Sequence, residues 1–309
     1  MRNLLFILLA IVAAVATFAA AKLIGNAYVF FAGYVVLQYI VLATAWNILG
    51  GYTGYVNFGT AAFFALGAYT TVVLHKTVPF LPLPAMMLVG GVISGVIGLG
   101  MGYLTLRLRG TFFSIATLAM AVVAQTLITN WNFVGGSRGA YVVRPPDSPI
   151  IGGDYVQYLF LVMLTLSVVV LTCARAIQFS RLGYGFSAIR DDELAAEASG
   201  VPTLKLKLIA TSLSGAFMGM AGAPLPYYVT YLDPASGFSL SYAVNTIAMP
   251  LIGGTSTWLG PLIGAVLLGT LEQLATVTIS SELSLLLVGV LLVIFVVAAP
   301  RGIVGWIRR

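Results

Sequence analysis

Apolar residues run through this chain in long blocks separated by short polar segments. A helix needs roughly 20 mostly apolar residues to cross the hydrocarbon core of a bilayer. Ten blocks approach that length: 4–21, 28–49, 57–74, 84–105, 111–129, 155–176, 206–228, 242–254, 261–279 and 283–300. The eighth is too short to cross alone and reads as a tilted, broken or re-entrant segment. The pattern therefore predicts an all-α, polytopic bundle of about 8–10 crossings, formed by one membrane-embedded domain over residues 1–309. The first block follows Arg2 and ends at Ala19-Ala20-Ala21, which also fits a signal peptide, but its length favours a retained helix.

Composition agrees with lipid as the solvent. The chain is 60% hydrophobic and 8% charged, whereas soluble domains run near a quarter charged. Its single cysteine, Cys173, and single histidine, His75, can supply neither an internal disulfide nor a zinc set, so neither metal nor cofactor is expected. No G-x-x-x-x-G-K-[ST] loop is present to bind ATP by that route. Energy for uphill transport must then come from a partner or an ion gradient.

The net charge of +6 does not point to nucleic acid, because the basic residues sit at block ends, where they set membrane orientation. With a cytoplasmic N-terminus and ten crossings, one side holds Arg2, Arg107, Arg109, Arg175, Arg181, Arg190, Lys205, Lys207, Arg301, Arg308 and Arg309. The other holds Lys22, Lys76, Arg138 and Arg144. That bias places the charged loop 177–204 in the cytoplasm.

Within this loop, 191–199 reads as a short helix. Asp191 or Asp192 can cap its start, acids fill its first turn, Gly200 stops it and Pro202 prevents continuation. Ala195, Ala196 and Ser199 fall at helical spacing as one small-residue face, suited either to docking in a protein groove or to a plain connector. Inside the blocks, Asn47, Asn57 and Gln125 are buried amides that either glue helices together or line a path. Glu272 is an ionisable group deep in the ninth block and a functional candidate by default. The glycine-rich stretch 50–59 lies between two spans, where irregular backbone is tolerated if it is buried in protein or lines an aqueous cavity. Asn47, Gly50, Gly51, Asn57, Thr60 and Glu272 are therefore the candidate path residues. The glycines of 90–102 recur at small-xxx-small spacing, as helix packing in lipid requires. A faint repeat relates 47–51 to 250–254, each followed by a polar turn and a Gly/Ala-rich helix.

Several segments resemble the permease subunits of branched-chain amino acid ABC importers, the LivM-like branch in particular. The run Arg190-Asp191-Asp192-Glu193-Leu194-Ala195-Ala196-Glu197-Ala198-Ser199-Gly200 resembles the Glu-Ala-Ala-x-x-x-Gly coupling loop, with Leu194 where the strict pattern has Glu. The run 46–63 resembles the N-L-x-x-G-x-x-G-Q-x-S-L-G-H-A-A-F signature, with Tyr55, Asn57 and Thr60 replacing Gln, Ser and His. Residues 108–119, 135–139 and 253–265 match further family segments. The resemblance implies a translocation subunit without catalysis of its own, in a bacterial-type cytoplasmic (inner) membrane. It further implies a homologous LivH-like permease subunit, two cytoplasmic ABC ATPases and an extracytoplasmic solute-binding protein as partners. ATPase coupling would fall to Glu193, Ala195, Ala196, Glu197 and Gly200. A rival reading is an ion-gradient-driven transporter using Glu272; another is a membrane-embedded enzyme or scaffold.

Overall fold

The computed structural model describes residues 2–108, 110–145, 154–278, 286, 289–290, 292–294 and 302–307. Arg109, Arg301, Arg308, Arg309 and most of the tenth expected span, 283–300, lie outside the described residues. Seven stretches are long and apolar enough to cross a membrane: Leu5–Ile24, Ala27–Thr53, Leu83–Thr105, Thr111–Thr129, Tyr155–Gln178, Thr203–Val229 and Leu259–Thr278. Each coincides with an expected span, and the chain is a multi-pass, all-α membrane protein. In chain order the α-helices up to residue 278 are α1 (Arg2–Ile24), α2 (Ala27–Thr53), α3 (Thr60–Thr77), α4 (Leu83–Thr105), α5 (Thr111–Thr129), α6 (Tyr155–Gln178), α7 (Arg181–Asp191), α8 (Glu193–Ala198), α9 (Thr203–Gly222), α10 (Leu225–Val229), α11 (Pro234–Gly237), α12 (Leu240–Gly253) and α13 (Leu259–Thr278), and a short helix follows at Gly302–Ile307.

One expected span takes another form, and the eighth block stays as short as expected. The block 57–74 becomes α3, which starts three residues later and is buried over its first three turns, mainly against α4 and α9 with α5 and α12 beside it. A helix surrounded by protein can carry Thr60, Gly67, Thr70 and Thr71 where a lipid-facing helix needs apolar side chains, so α3 is the less apolar element. The block 242–254 becomes α12, with 14 residues, about 21 Å of helix against a hydrocarbon core near 30 Å. It forms a tight hairpin with α13. A Cβ on Gly264 would lie 1.8 Å from the carbonyl oxygen of Met249, and one on Gly253 1.8 Å from that of Gly260.

Glycine also sets the centre of the bundle, where α3, α4 and α9 cross. A Cβ on Gly67 would sit 1.9 Å from the Gly219 carbonyl, and one on Gly219 2.3 Å from Ser94 Oγ. The gap closes with hydrogen bonds: Ser94 Oγ donates to Phe63 O at 3.1 Å and Ser212 Oγ to Gly95 O at 3.0 Å. Of the glycines in 90–102, Gly90, Gly91, Gly95, Gly98 and Gly102 face neighbouring atoms, whereas Gly100 faces none within 4 Å. The helix α2 runs through the middle against α6, α9, α12 and α13. By contrast α1 is peripheral, with only 6% of its apolar window buried against 67% for α2.

Between α2 and α3 the chain folds back into the bundle. Gly54 closes α2 in the left-handed region at φ 80°. Trp46 Nε1 then donates to Asn57 O at 2.9 Å, although Trp46 lies two helical turns before the end of α2. Buried irregular backbone must find partners. Here Thr117 Oγ1 accepts from Phe58 N at 3.1 Å and Ser114 Oγ donates to Val56 O at 2.8 Å, both from α5. At the opposite end of the bundle, β1 (Ala140–Tyr141) pairs antiparallel with β2 (Tyr231–Leu232), tying the loop before α6 to the loop after α10.

Candidate functional site

The helix α8 starts at Glu193, two residues into the expected 191–199, because Asp191 ends α7. Asp192 is the N-cap, its carboxylate accepting from Leu194 N at 2.9 Å and Ala195 N at 3.1 Å, and an acid at this end also complements the helix dipole. Gly200, at φ 83°, carries the chain out of the helix in a conformation that β-carbons disfavour. The small-residue face divides, however. Ala196 turns inward at 5% exposure, while Ala195, Glu197, Ala198, Ser199 and Gly200 stay exposed. With six residues, α8 has room for one inward position per turn, and Ala196 takes it. The residue that projects instead is Leu194, at 62% exposure. Beside it, Tyr184, Gly185 and Ala188 of α7 face Ser199–Pro202 across a groove of about 510 Å3.

Beneath α8 lies a buried charge cluster. Lys207 of α9 is 3% exposed, although the positive-inside pattern counts it among the flanking basic residues. Its ammonium donates to Glu193 Oε1 at 2.7 Å, Tyr55 OH at 3.1 Å and the Leu106 carbonyl at 3.1 Å. The Tyr55 hydroxyl in turn donates to Glu193 Oε2. Removing one member of a buried ion pair typically costs about 3–5 kcal/mol, because the other charge is left uncompensated. Helical spacing does carry a trace of this burial. Thr203, Lys207, Ala210, Thr211 and Ser214 all lie on the buried face of α9, while Lys205 is exposed. On the same end of the bundle, Thr203 Oγ1 donates to Glu197 Oε1 at 2.6 Å, and Arg190 of α7 packs on Gly54, 3.3 Å from where a Cβ would stand.

The candidate path residues fall into two groups. In the first, the two glycine turns of the faint repeat meet. Asn47 Nδ2 reaches the Thr257 carbonyl at 3.5 Å, and a Cβ on Gly51 would lie 2.7 Å from the Thr255 carbonyl. Gly50 lies under the Trp46 ring. Asn57 is 2% exposed, and its Oδ1 accepts from Gly59 N at 2.7 Å. Thr60 Oγ1 reaches Asn57 O at 3.5 Å. In the second group, Asn245 Nδ2 donates to both carboxylate oxygens of Glu272, at 3.2 and 3.1 Å, and to Tyr39 OH at 3.0 Å. Tyr39 and Asn47 are eight positions apart on α2, about 12 Å, so the groups occupy different depths. Gln125 reaches the Pro234 carbonyl at the start of α11 at 3.5 Å, a contact away from both. Around α2, Thr44 Oγ1, Ser214 Oγ, Asn245 Oδ1 and Thr246 Oγ1 are buried without a hydrogen-bond partner among the described residues. Sequence reasoning did not single out these four. Buried polar atoms without a partner are uncommon in folded proteins and call for an explanation such as a bound water or ion. A cavity of about 790 Å3 between α1, α2, α6 and α13 is lined mostly by apolar side chains and by none of the candidate path residues.

A family model described as branched-chain amino acid transport system / permease component matches residues 28–296. The chain is 28% identical over 294 residues to the LivM permease protein of the high-affinity branched-chain amino acid transport system of Salmonella typhimurium, covering 87% of this chain and 68% of that one. It is 27% identical to the Escherichia coli LivM protein, with the same coverage. It is 26% identical over 271 residues to a probable branched-chain amino acid transport permease protein, LivH, of Methanocaldococcus jannaschii, covering 82% of this chain and 84% of the relative. No solved structure matches the chain.

Proposed function

Because this chain belongs to the family of branched-chain amino acid transport system permease components, we propose that it is the translocation subunit of an ATP-driven importer for branched-chain or related amino acids. In this reading it sits in a bacterial-type cytoplasmic membrane and pairs with a homologous LivH-like permease. Two cytoplasmic ATPases bind at the α7–α8 end, and an extracytoplasmic solute-binding protein delivers substrate at the β1–β2 end. Hydrolysis belongs to the ATPases. The observation that carries the reading is α8: a capped, acid-started helix outside the spans, presenting Leu194 to solvent. The two glycine turns that meet at Asn47 and Thr257, with the orphaned polar atoms around α2, support a path along α2 for a zwitterionic solute. Expression with the ATPases, permease and binding protein encoded beside it should give one detergent-stable complex that takes up leucine on ATP addition. A chain that purifies alone and drives no uptake with any of these partners overturns the reading.

Two further outcomes follow. In a Cys173→Ser background, Tyr184→Cys and Ser236→Cys, both at exposed positions, should react with an impermeant maleimide from opposite sides of the membrane. Labelling from one side would overturn the topology. Glu272→Gln is expected to leave whatever uptake remains insensitive to a protonophore at constant ATP. Uptake that follows a pH gradient in the native protein and vanishes in the Gln variant would instead make Glu272 the coupling site of a gradient-driven transporter.

A further inference from the structure

We propose that Lys207 is the positioning residue that makes α8 and the folded-back 54–59 segment move as one unit, linking ATPase docking to the path; this rests on the docking and path roles proposed above. An ammonium has three N–H donors, and each one of Lys207 ends on a different element: Glu193 on α8, Tyr55 on the α2–α3 segment and the Leu106 carbonyl at the end of α4. The Nζ atom also lies 4.7 Å from the centre of the Tyr55 ring. Tyr55 closes the triangle by donating to Glu193, and its ring meets Phe113 of α5 edge-on at 5.1 Å. Tyr55 stands where the family signature has Gln. Its partner Glu193 is 138 positions away in the chain. The phenol reaches what a shorter amide would not: both the acid of α8 and the ammonium of α9.

The cluster is shielded from water, with side-chain exposures of 4% for Lys207 and 14% for Glu193. Charges removed from water cannot exchange their partners for solvent without a large penalty. A displacement of α8 therefore carries Lys207 and Tyr55 along, and Tyr55 sits two residues before Asn57, the anchor of the folded-back segment on Trp46. An exposed pair would merely slip and rehydrate. Burial converts an ion pair into a linkage.

The test uses the assembled transporter, permease pair with ATPases and substrate-loaded binding protein, in proteoliposomes, with uptake and ATP hydrolysis read in the same vesicles. Lys207→Met is expected to keep the ATPases bound and hydrolysis within threefold of the native rate, while uptake per ATP falls at least tenfold. Lys207→Met combined with Glu193→Met should be no worse than the poorer single variant, since both delete one linkage. Lys205→Met, on the exposed side of the same helix, should match the native protein. An uptake-to-hydrolysis ratio within twofold of native in Lys207→Met, or single effects that multiply in the double variant, overturns the proposal. If Lys207→Met fails to accumulate, Tyr55→Phe, which deletes one hydroxyl of the cluster, is judged by the same ratio. Leu194→Asp separates this from the docking role. Retained ATPases in that variant remove α8 as the docking helix, whereas lost ATPases beside a fully coupled Lys207→Met remove only the linkage.

Discussion

Leu194→Asp is expected to strip the ATPase subunits from the complex and abolish uptake while the permease inserts at normal abundance. Leu194 is 62% exposed, so within the isolated chain the substitution removes little packing. Exposed-site changes usually alter stability by no more than about 0.5 kcal/mol. In an interface the same carboxylate is desolvated without a partner. A penalty of about 4 kcal/mol, typical of an unpaired buried charge, lowers affinity roughly 1000-fold. Co-purification of the ATPases and initial uptake rates give the measurement, and both at native levels would make α8 a simple connector. Two neighbouring positions of the coupling motif test this less cleanly. Ala196 is buried within the chain, so Ala196→Asp injures the permease itself. Gly200 adopts φ 83°, so any side chain there strains the turn before it reaches a partner.

Gly219→Val is expected to destabilise the bundle more than any surface change. Its Cβ would stand 2.3 Å from Ser94 Oγ and 2.7 Å from the Gly90 carbonyl, and the facing Gly67 leaves its partner no room to retreat. Overpacking a rigid core costs about 1–3 kcal/mol and sometimes more; a backbone-to-backbone contact belongs at the upper end, because no rotamer can relieve it. On the scaling of soluble domains this corresponds to a melting shift of about 5 °C, measurable in detergent as loss of the monodisperse peak on heating. Gly100→Val, on α4 with nothing within 4 Å of its Cβ position, should melt like the native protein. An unchanged Gly219→Val would mean that α3, α4 and α9 do not cross as closely as described.

The pattern of small and polar residues also explains what a linear reading passes over. Among the bundle helices, α3 and α12 answer least to hydropathy, because they are solvated by protein on most sides and their sequences record fit to neighbours. Lys207 illustrates the same gap. Counted by position it is a flanking basic residue; counted by helical face it belongs with Thr203, Ala210, Thr211 and Ser214. Its partner Tyr55 is 152 positions away, and no local pattern records such a pairing. The candidate site divides in the same manner. Asp192, Gly200 and the shape of α8 are local and legible, whereas the inward turn of Ala196 depends on what lies beneath the helix.

Alone, then, the sequence determined that lipid is the solvent, where seven helices long and apolar enough to cross lie, that a cap at Asp191 or Asp192 and a stop at Gly200 bound α8, and which family signatures the chain carries. These follow from transfer free energy, helix length and capping, all of which act over a few turns and are written in consecutive residues. Only the tertiary structure decided that α3 is central, that the glycine turns after α2 and α12 meet at Asn47 and Thr257, and that one ammonium ties α8 to the folded-back segment. Those are contacts between distant positions. Their energies depend on distances and on exclusion of water, and neither quantity exists until the helices have packed.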